Sequence, residues 1–450
     1  MTSAQGRSAA TQISQLEILL RFSYTGYEYS ISPIPSTTMS KLGLKEKLRE
    51  FDHLQTRVRA ARVTTSHDAL ARLLGGEERE GCFVVERSYA LDEAHGPVQL
   101  AHLLEVTSAA LGIAGKDDQL AQMVPRHALF LDTETTGLAG GAGTLAFLLG
   151  VGYFTAEHFI VRQYFLRQPQ EEAAMLTALQ RHMSEVQGLI SFNGKSFDVP
   201  LLVSRAILNR MRLDFGRLPH FDVLHASRRM WKDRVQDCTL GNLETNILGK
   251  SRRADVPSFL IPQIYFDFVR TGKTAQLAEI FAHNREDIVT TAALATYLGQ
   301  LVQAPFKWQA SREELHKIGR LYREAGELET SIALFENLLA RAETSHRRED
   351  LLALGFCYKS RRRYEDAGRV WERAIAQFAF HPLPFIELAK YLEHRAKDYG
   401  RALEVVQRAL RALAMLEGLR SSAEMLAHKN DLQRREARLQ KLRSKNVIPN

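Results

Sequence analysis

A chain of 450 residues is longer than one hydrophobic core comfortably serves, so two or three domains of about 100–200 residues are expected. Its 45% hydrophobic and 25% charged content is that of folded globular proteins and argues against global disorder and against a disulfide scaffold. The net charge of +8 suits a polyanionic partner, because Lys and Arg release condensed counterions on meeting phosphates, although many proteins of this size carry such an excess. Cys82, Cys238 and Cys357 form no C-x-x-C pair, which excludes a thiolate zinc site and fits a reducing cytoplasm. The apolar stretch 16–20 is too short for a signal-peptide core, and no run approaches about 18 apolar residues, so no membrane span is expected.

Residues 1–38 are rich in Ser, Thr and Tyr without periodicity, and are expected to be disordered or, if translation begins at Met39, not made. Residues 39–50 read as an amphipathic helix, and helical and short strand-like pieces, 82–86 among them, fill out an N-terminal extension over 1–117 that points to no chemistry. Apolar runs at 128–131, 145–154 and 159–166, separated by Gly-rich and polar residues, predict an antiparallel meander. The spacing of Ala174, Leu176, Leu179 and Met183 predicts a helix over 171–186, and 188–192 then reads as a buried strand. A meander followed by alternating helix and strand predicts a mixed α/β layered domain over 118–302. Over 308–450 the character becomes continuously helical with a period near 34 residues: Gly319-x-x-Tyr322 before Phe335 and Leu338, Gly355-x-x-Tyr358 before Ala367, Trp371 and Ala374. Small and large residues at such offsets let paired helices approach closely, the pattern of tetratricopeptide repeats. The last helix carries Arg434, Arg435, Arg438, Lys441 and Arg443, and reads as a solvated cap or a nucleic-acid arm.

Three short segments carry chemistry. Asp132 and Glu134 stand two apart at the end of an apolar strand, so their carboxylates share a face and can hold a hard divalent cation. In Asn193-Gly-Lys195-Ser-Phe197-Asp198-Val-Pro-Leu-Leu a buried strand ends in a polar turn that delivers Asp198 at a helix start, as a ligand or as a helix cap. His283 and Asp287, four apart on a predicted helix, share a face; an imidazole with an ordinary pKa of about 6.5 can take a proton from water at neutral pH. Asp222 is either an outer acid of the same site or a structural cap. The Gly-rich turn after Glu134 lacks the Gly-Lys-Ser/Thr of a phosphate-binding loop.

In their order, Asp132-x-Glu134-Thr-Thr-Gly, Asn193-Gly-x-x-Phe197-Asp198-x-Pro-x-Leu and His283-Asn-x-x-Asp287 resemble the DEDD exonuclease superfamily, of ribonuclease H-like fold. Within it the chain is most similar to the YprB-type family, which pairs that domain with C-terminal tetratricopeptide repeats. The Gly-rich stretch Gly137-Leu-Ala-Gly140-Gly141-Ala-Gly143-Thr144 and the segment from Asp222 through Trp231 to Leu248-Gly249 carry the likeness further. The resemblance implies an α/β ribonuclease H-like mixed sheet flanked by helices, then an all-α repeat domain. It also implies two Mg²⁺ or Mn²⁺ ions on Asp132, Glu134, Asp198 and Asp287, and His283 as the base for the attacking water. Asn193, Lys195 and Phe197 become candidate substrate contacts, Lys195 toward a phosphate or simply solvated. The implied activity is 3′–5′ exonuclease action on single-stranded DNA or RNA, with a protein partner for the repeats. One departure is the His283–Asp287 spacing of four, where His-type relatives place five. The competing readings are a catalytically silent scaffold that binds through the repeats, and a structure-specific endonuclease.

Overall fold

The computed structural model describes residues 67–137, 143–252, 256–340, 348–417 and 423–446, all inside the unit Leu54–Asn450. The expectations for residues 1–38 and 39–50, and for 138–142 of the Gly-rich turn, lie outside the described residues.

After helix α1 (His67–Leu74) come strands β1 (Glu77–Arg79) and β2 (Cys82–Ala90), the small hairpin β3 (Ala94–His95) and β4 (Val98–Gln99), and α2 (Ser108–Gly115). The meander predicted from the sequence follows as β5 (Ala128–Thr135), β6 (Ala146–Phe154) and β7 (His158–Phe165). Then helix and strand alternate: α3 (Glu172–Glu185), β8 (Gly188–Ser191), α4 (Asp198–Leu208), β9 (His220–Asp222), α5 (Val223–Trp231), α6 (Leu240–Asn246), α7 (Ile261–Thr271) and α8 (Leu277–Gln303). The seven-stranded sheet runs β1-β2-β7-β6-β5-β8-β9, antiparallel from β1 to β5 and parallel across β5, β8 and β9.

Alternation along β5 explains the layering. Phe130 points into one core with Phe159, Ile190, Phe221 and the later half of α8, whereas Leu129 and Leu131 point into the other with Leu176, Leu202 and Tyr265 from α3, α4 and α7. Helix α8 starts in this second core through Leu277, Ile280 and Phe281 and ends in the first through Ile288–Val302. Its middle therefore passes between the two cores, where polar side chains can be tolerated. Close approach there needs glycine: a Cβ on Gly150 would fall 2.5 Å from Ile288 Cδ1, and one on Gly152 would fall 2.7 Å from Ile288 Cγ2.

Residues 77–90, placed by the sequence in an extension ending at 117, add two strands to the main sheet, with β2 paired along its length to β7 from Phe83↔Phe165 to Ala90↔His158. The helical part is α9 (Arg312–Glu324), α10 (Leu328–Ala340), α11 (Arg348–Ser360), α12 (Tyr364–Gln377), α13 (Pro382–Tyr391), α14 (Tyr399–Glu417) and α15 (Ala423–Asn446). Its core is continuous with that of the sheet domain. Trp231 Nε1 donates to Glu314 Oε1 at 2.7 Å, Lys317 Nζ donates to the Met230 carbonyl at 2.9 Å, and Trp231 stacks on Tyr297.

Successive helices pack against one another, and the small-large offsets seen in the sequence meet in space. Phe335 faces Gly319, where a Cβ would come within 2.9 Å of its ring, and Trp371 closes on Gly355. Replacing Gly355 by Ala would push a methyl into the indole; overpacking of this kind costs about 1–3 kcal/mol, so a lower melting temperature in calorimetry is expected. The last helix is less solvated than its composition suggests. Arg435 and Arg438 both bind the buried Glu393, at 2.5 and 2.6 Å, and Leu432 and Leu439 are buried.

Candidate active site

Asp132 and Glu134 leave the C-terminal end of β5 on the α8 side, as their spacing predicts. Beside Glu134 the pairing with β6 slips: Glu134 faces Leu148 but Thr135 faces Ala146, a bulge of the kind that re-aims a strand-end side chain. Between the two acids Thr133 points to the opposite face, where its hydroxyl donates to Asp198 Oδ1 at 2.5 Å. Asp198 is thereby tied to the same strand end, although it arrives from a different element.

The turn that delivers Asp198 is built on backbone geometry. Asn193 has φ +66, and Gly194 lies so close to Ser191 that any side chain would collide with it. Asp222 holds this turn: its Oδ1 accepts from Asn193 N at 2.9 Å and Leu224 N at 3.1 Å, and its Oδ2 accepts from Lys195 N at 3.1 Å. Asp222 thus caps α5 and the neighbouring turn together, and its charge also raises Asp198. Helix α4 is capped by no side chain, so Asp198 is not spent as an N-cap. Lys195 is exposed and its Nζ sits 3.7 Å from Asp117 Oδ2; Phe197 is half-buried at the helix start. Substituting Asp222 by Ala removes three hydrogen bonds at once and should destabilise the fold by about 1–2 kcal/mol, read as a shift in urea midpoint.

The middle of α8 faces both segments. His283 Nε2 stands 3.8 Å from Glu134 Oε1 and 3.6 Å from Asp287 Oδ2, with its side chain only 10% exposed, so it is not a surface or capping histidine. Between these two residues on the helix, Asn284 is fully buried. Its Nδ2 donates to Asp132 Oδ2 at 2.7 Å and its Oδ1 accepts from Gln163 Nε2 at 2.8 Å, which fixes the amide orientation. Arg252 bridges Asp287 Oδ1 at 2.5 Å and Glu244 Oε2 at 2.7 Å. Sequence reading gave no part to Asn284, Gln163, Thr133 or Arg252; only Asn284, inside the His283-Asn-x-x-Asp287 pattern, carried a signal that could have found it.

Charge is concentrated here. Burial first, then the Asp287 and Asp198 carboxylates, push Asp132 well above the ordinary carboxylate range, against the Asn284 amide and Arg252. Burial lifts Asp198 to about 6, against the Thr133 hydroxyl and a backbone amide. Buried carboxylates gathered around Asp132 in this way can hold a cation. The donor set, carboxylate oxygens with one imidazole at the edge, fits hard divalent ions.

A family model for the RNase H superfamily matches residues 129–299, from β5 to the end of α8. The chain is also 32% identical over 351 residues to "Uncharacterized protein YprB" of Bacillus subtilis (strain 168), covering 75% of this chain and 83% of that protein. The chain belongs to the YprB family of ribonuclease H-like proteins. Membership supports a nuclease function for the YprB-type domain, a hydrolase acting on nucleic acid with divalent metal ions, and the clustered acids sit inside the matched span. Among the described residues no helix is long and apolar enough to cross a membrane.

Proposed function

We propose that this YprB-family chain is a cytoplasmic 3′–5′ exonuclease that hydrolyses phosphodiester bonds of single-stranded DNA or RNA. Two Mg²⁺ or Mn²⁺ ions on Asp132, Glu134, Asp198 and Asp287 would supply the Lewis acidity that polarises the phosphoryl group and steadies the leaving oxygen. The supporting observation is that the Asp198 and Asp287 carboxylates, brought by two other elements, both bear on the buried Asp132 at the end of β5.

The protein's own groups then have distinct tasks. His283 Nε2, between Glu134 and Asp287, accepts a proton from the attacking water, whose oxygen bonds to phosphorus while the bond to the 3′ oxygen breaks. Glu134 orients that water. Asn284 and Gln163 hold Asp132 in one rotamer, Thr133 holds Asp198, and Arg252 holds Asp287, so the acids need little rearrangement when substrate arrives. Asn193 and Phe197 border the site beside the terminal nucleotide, and Lys195 reaches for a phosphate from the same turn. The helical hairpins, of tetratricopeptide type in this reading, receive a protein partner.

Incubating the protein with 5′-labelled DNA and RNA oligonucleotides and Mn²⁺ should give a ladder shortened from the 3′ end. Circular single-stranded DNA should survive; if it is cut as fast as a linear strand, the activity is endonucleolytic. Arg252 also favours a second reading, since a guanidinium on Asp287 could make the site a metal-free binding module. In that case nucleic acid would bind in EDTA and no ladder would form.

A further inference from the structure

Next to the nuclease acids, and sharing none of them, lies a second convergence of donors. His95 comes from the β3–β4 hairpin, Glu244 from α6 and Glu286 from α8, and one ligand atom of each lies within 4.8 Å of the other two. The hairpin is held in place: Gly96, at φ +66, sits so tightly against Leu248 that no Cβ would fit. The side chains of His95 and Glu244 are 4% and 1% exposed, and Glu286 is half-buried at the rim.

Two features of this cluster ask for a cation. Glu244 Oε2 is taken by Arg252, but Glu244 Oε1, completely buried, has no well-aligned donor: it has only the loose approaches of His95 Nε2, at 3.4 Å, and of the Thr290 hydroxyl, which lies 3.1 Å from that same His95 nitrogen. A buried carboxylate oxygen without a well-aligned donor is costly unless something answers it. The other feature is Lys250, whose ammonium already lies in the cluster, 2.9 Å from His95 Nδ1 and 2.6 Å from Glu286 Oε1. It serves two of the three groups and leaves Glu244 Oε1 out, and its side chain is 38% exposed, with solvent to swing into. A permanent ion pair would account for Lys250 and Glu286 but not for the orphaned oxygen.

We propose that His95, Glu244 and Glu286 form a separate structural site for one divalent ion of borderline character, Zn²⁺ in the first place, which displaces the Lys250 ammonium. An imidazole with two carboxylates suits Zn²⁺, whereas Mg²⁺ avoids nitrogen and keeps its waters. Zinc bonds of about 2.0–2.2 Å require the donors to draw slightly together, and Glu286, the least buried, has the freedom to do so. Bound there, the ion would pin the hairpin to α6 and α8. Arg252, which joins Glu244 to Asp287, would carry the position of the pinned acid to the nuclease centre.

The test uses the full chain with Asp132→Asn and Asp198→Asn, so that the nuclease acids do not hold metal strongly. Titration with ZnCl₂ by calorimetry, and the zinc retained after desalting by elemental mass spectrometry, should give about one equivalent and a raised melting temperature. Adding His95→Gln should abolish that equivalent; should that variant fail to fold, Glu286→Gln at the rim gives the same reading. Lys250→Met should keep the stoichiometry and tighten zinc binding by about tenfold or more, because the competing positive charge is gone. Absence of a zinc equivalent in the Asp132→Asn, Asp198→Asn protein overturns the proposal. So does zinc binding that is indifferent to His95→Gln or Glu286→Gln, or one that Lys250→Met leaves equal or weaker. Loss of nuclease activity is not read in any arm, so failure here leaves the exonuclease reading untouched.

Discussion

Asp132→Asn should lower Mn²⁺-dependent nucleotide release by about a thousandfold, the equivalent of roughly 4 kcal/mol of transition-state stabilisation. The reason is positional. Asp132 sits at the junction of all three chemical segments: it accepts from Asn284 on α8, and its charge is coupled to Asp287 on the same helix and Asp198 on α4. Asn at this place keeps the shape and loses the charge. It also puts an amide against the Asn284 amide, so binding of oligonucleotide in EDTA, compared with the wild type, separates a lost ion from a distorted pocket. Undiminished release by Asp132→Asn would remove the nuclease reading. A preserved rate with Lys195→Ala would only show that this exposed lysine is solvated.

In the metal-free protein the buried acids should weaken the fold most at neutral and alkaline pH. Asp198 keeps its proton to about 6, while an unfolded aspartate loses it near 3.8. An acid whose pKa is raised by folding binds its proton more tightly in the native state. The contribution of Asp198 to stability in EDTA is therefore fully present below about 4, falls as pH climbs to about 6, and is lost above it. Asp132, shifted in the same direction, prolongs the fall. Asp198→Asn, which still offers an oxygen to the Thr133 hydroxyl, removes the buried charge. At pH 8 in EDTA that variant should be more stable than wild type by up to about 3 kcal/mol, and near pH 4 the two should converge. Saturating Mn²⁺ should reverse the order at pH 8, because the wild type alone gains the full binding energy. Calorimetric scans at the two pH values, with EDTA and with Mn²⁺, decide it; a variant less stable than wild type in EDTA at pH 8 would contradict the charge argument.

What could be read from residues alone follows from the range of the forces involved. The β5–β6–β7 meander was legible because each apolar run is bounded by glycine and polar residues and pairs with its sequence neighbour. The sharing of a face by His283 and Asp287, and by Asp132 and Glu134, follows from helical and strand periods. By contrast, Val84 and Val85 look the same whether β2 pairs only with its neighbour β1 or, as it does, also with Tyr164 and Gln163 far along the chain, and alternation does not choose the partner. Arg252 lies in a polar connection with nothing local to mark it, and its meaning comes only from Asp287 and Glu244 folding onto it. Asp222 was ambiguous for a similar reason, since the turn it serves begins at Asn193, 29 residues earlier.

The contact of the Trp231 indole with Glu314 bears on how such a chain can change over time. Severing the gene between α8 and α9 would leave an indole without its acceptor on one product and Glu314 Oε1 without its indole donor on the other, and would bare the apolar ridge of Leu315 and Ile318. Exchange of the hairpin array for another is therefore open only to donors that bring an acid and a ridge in matching places, and the two halves are best inherited as a pair.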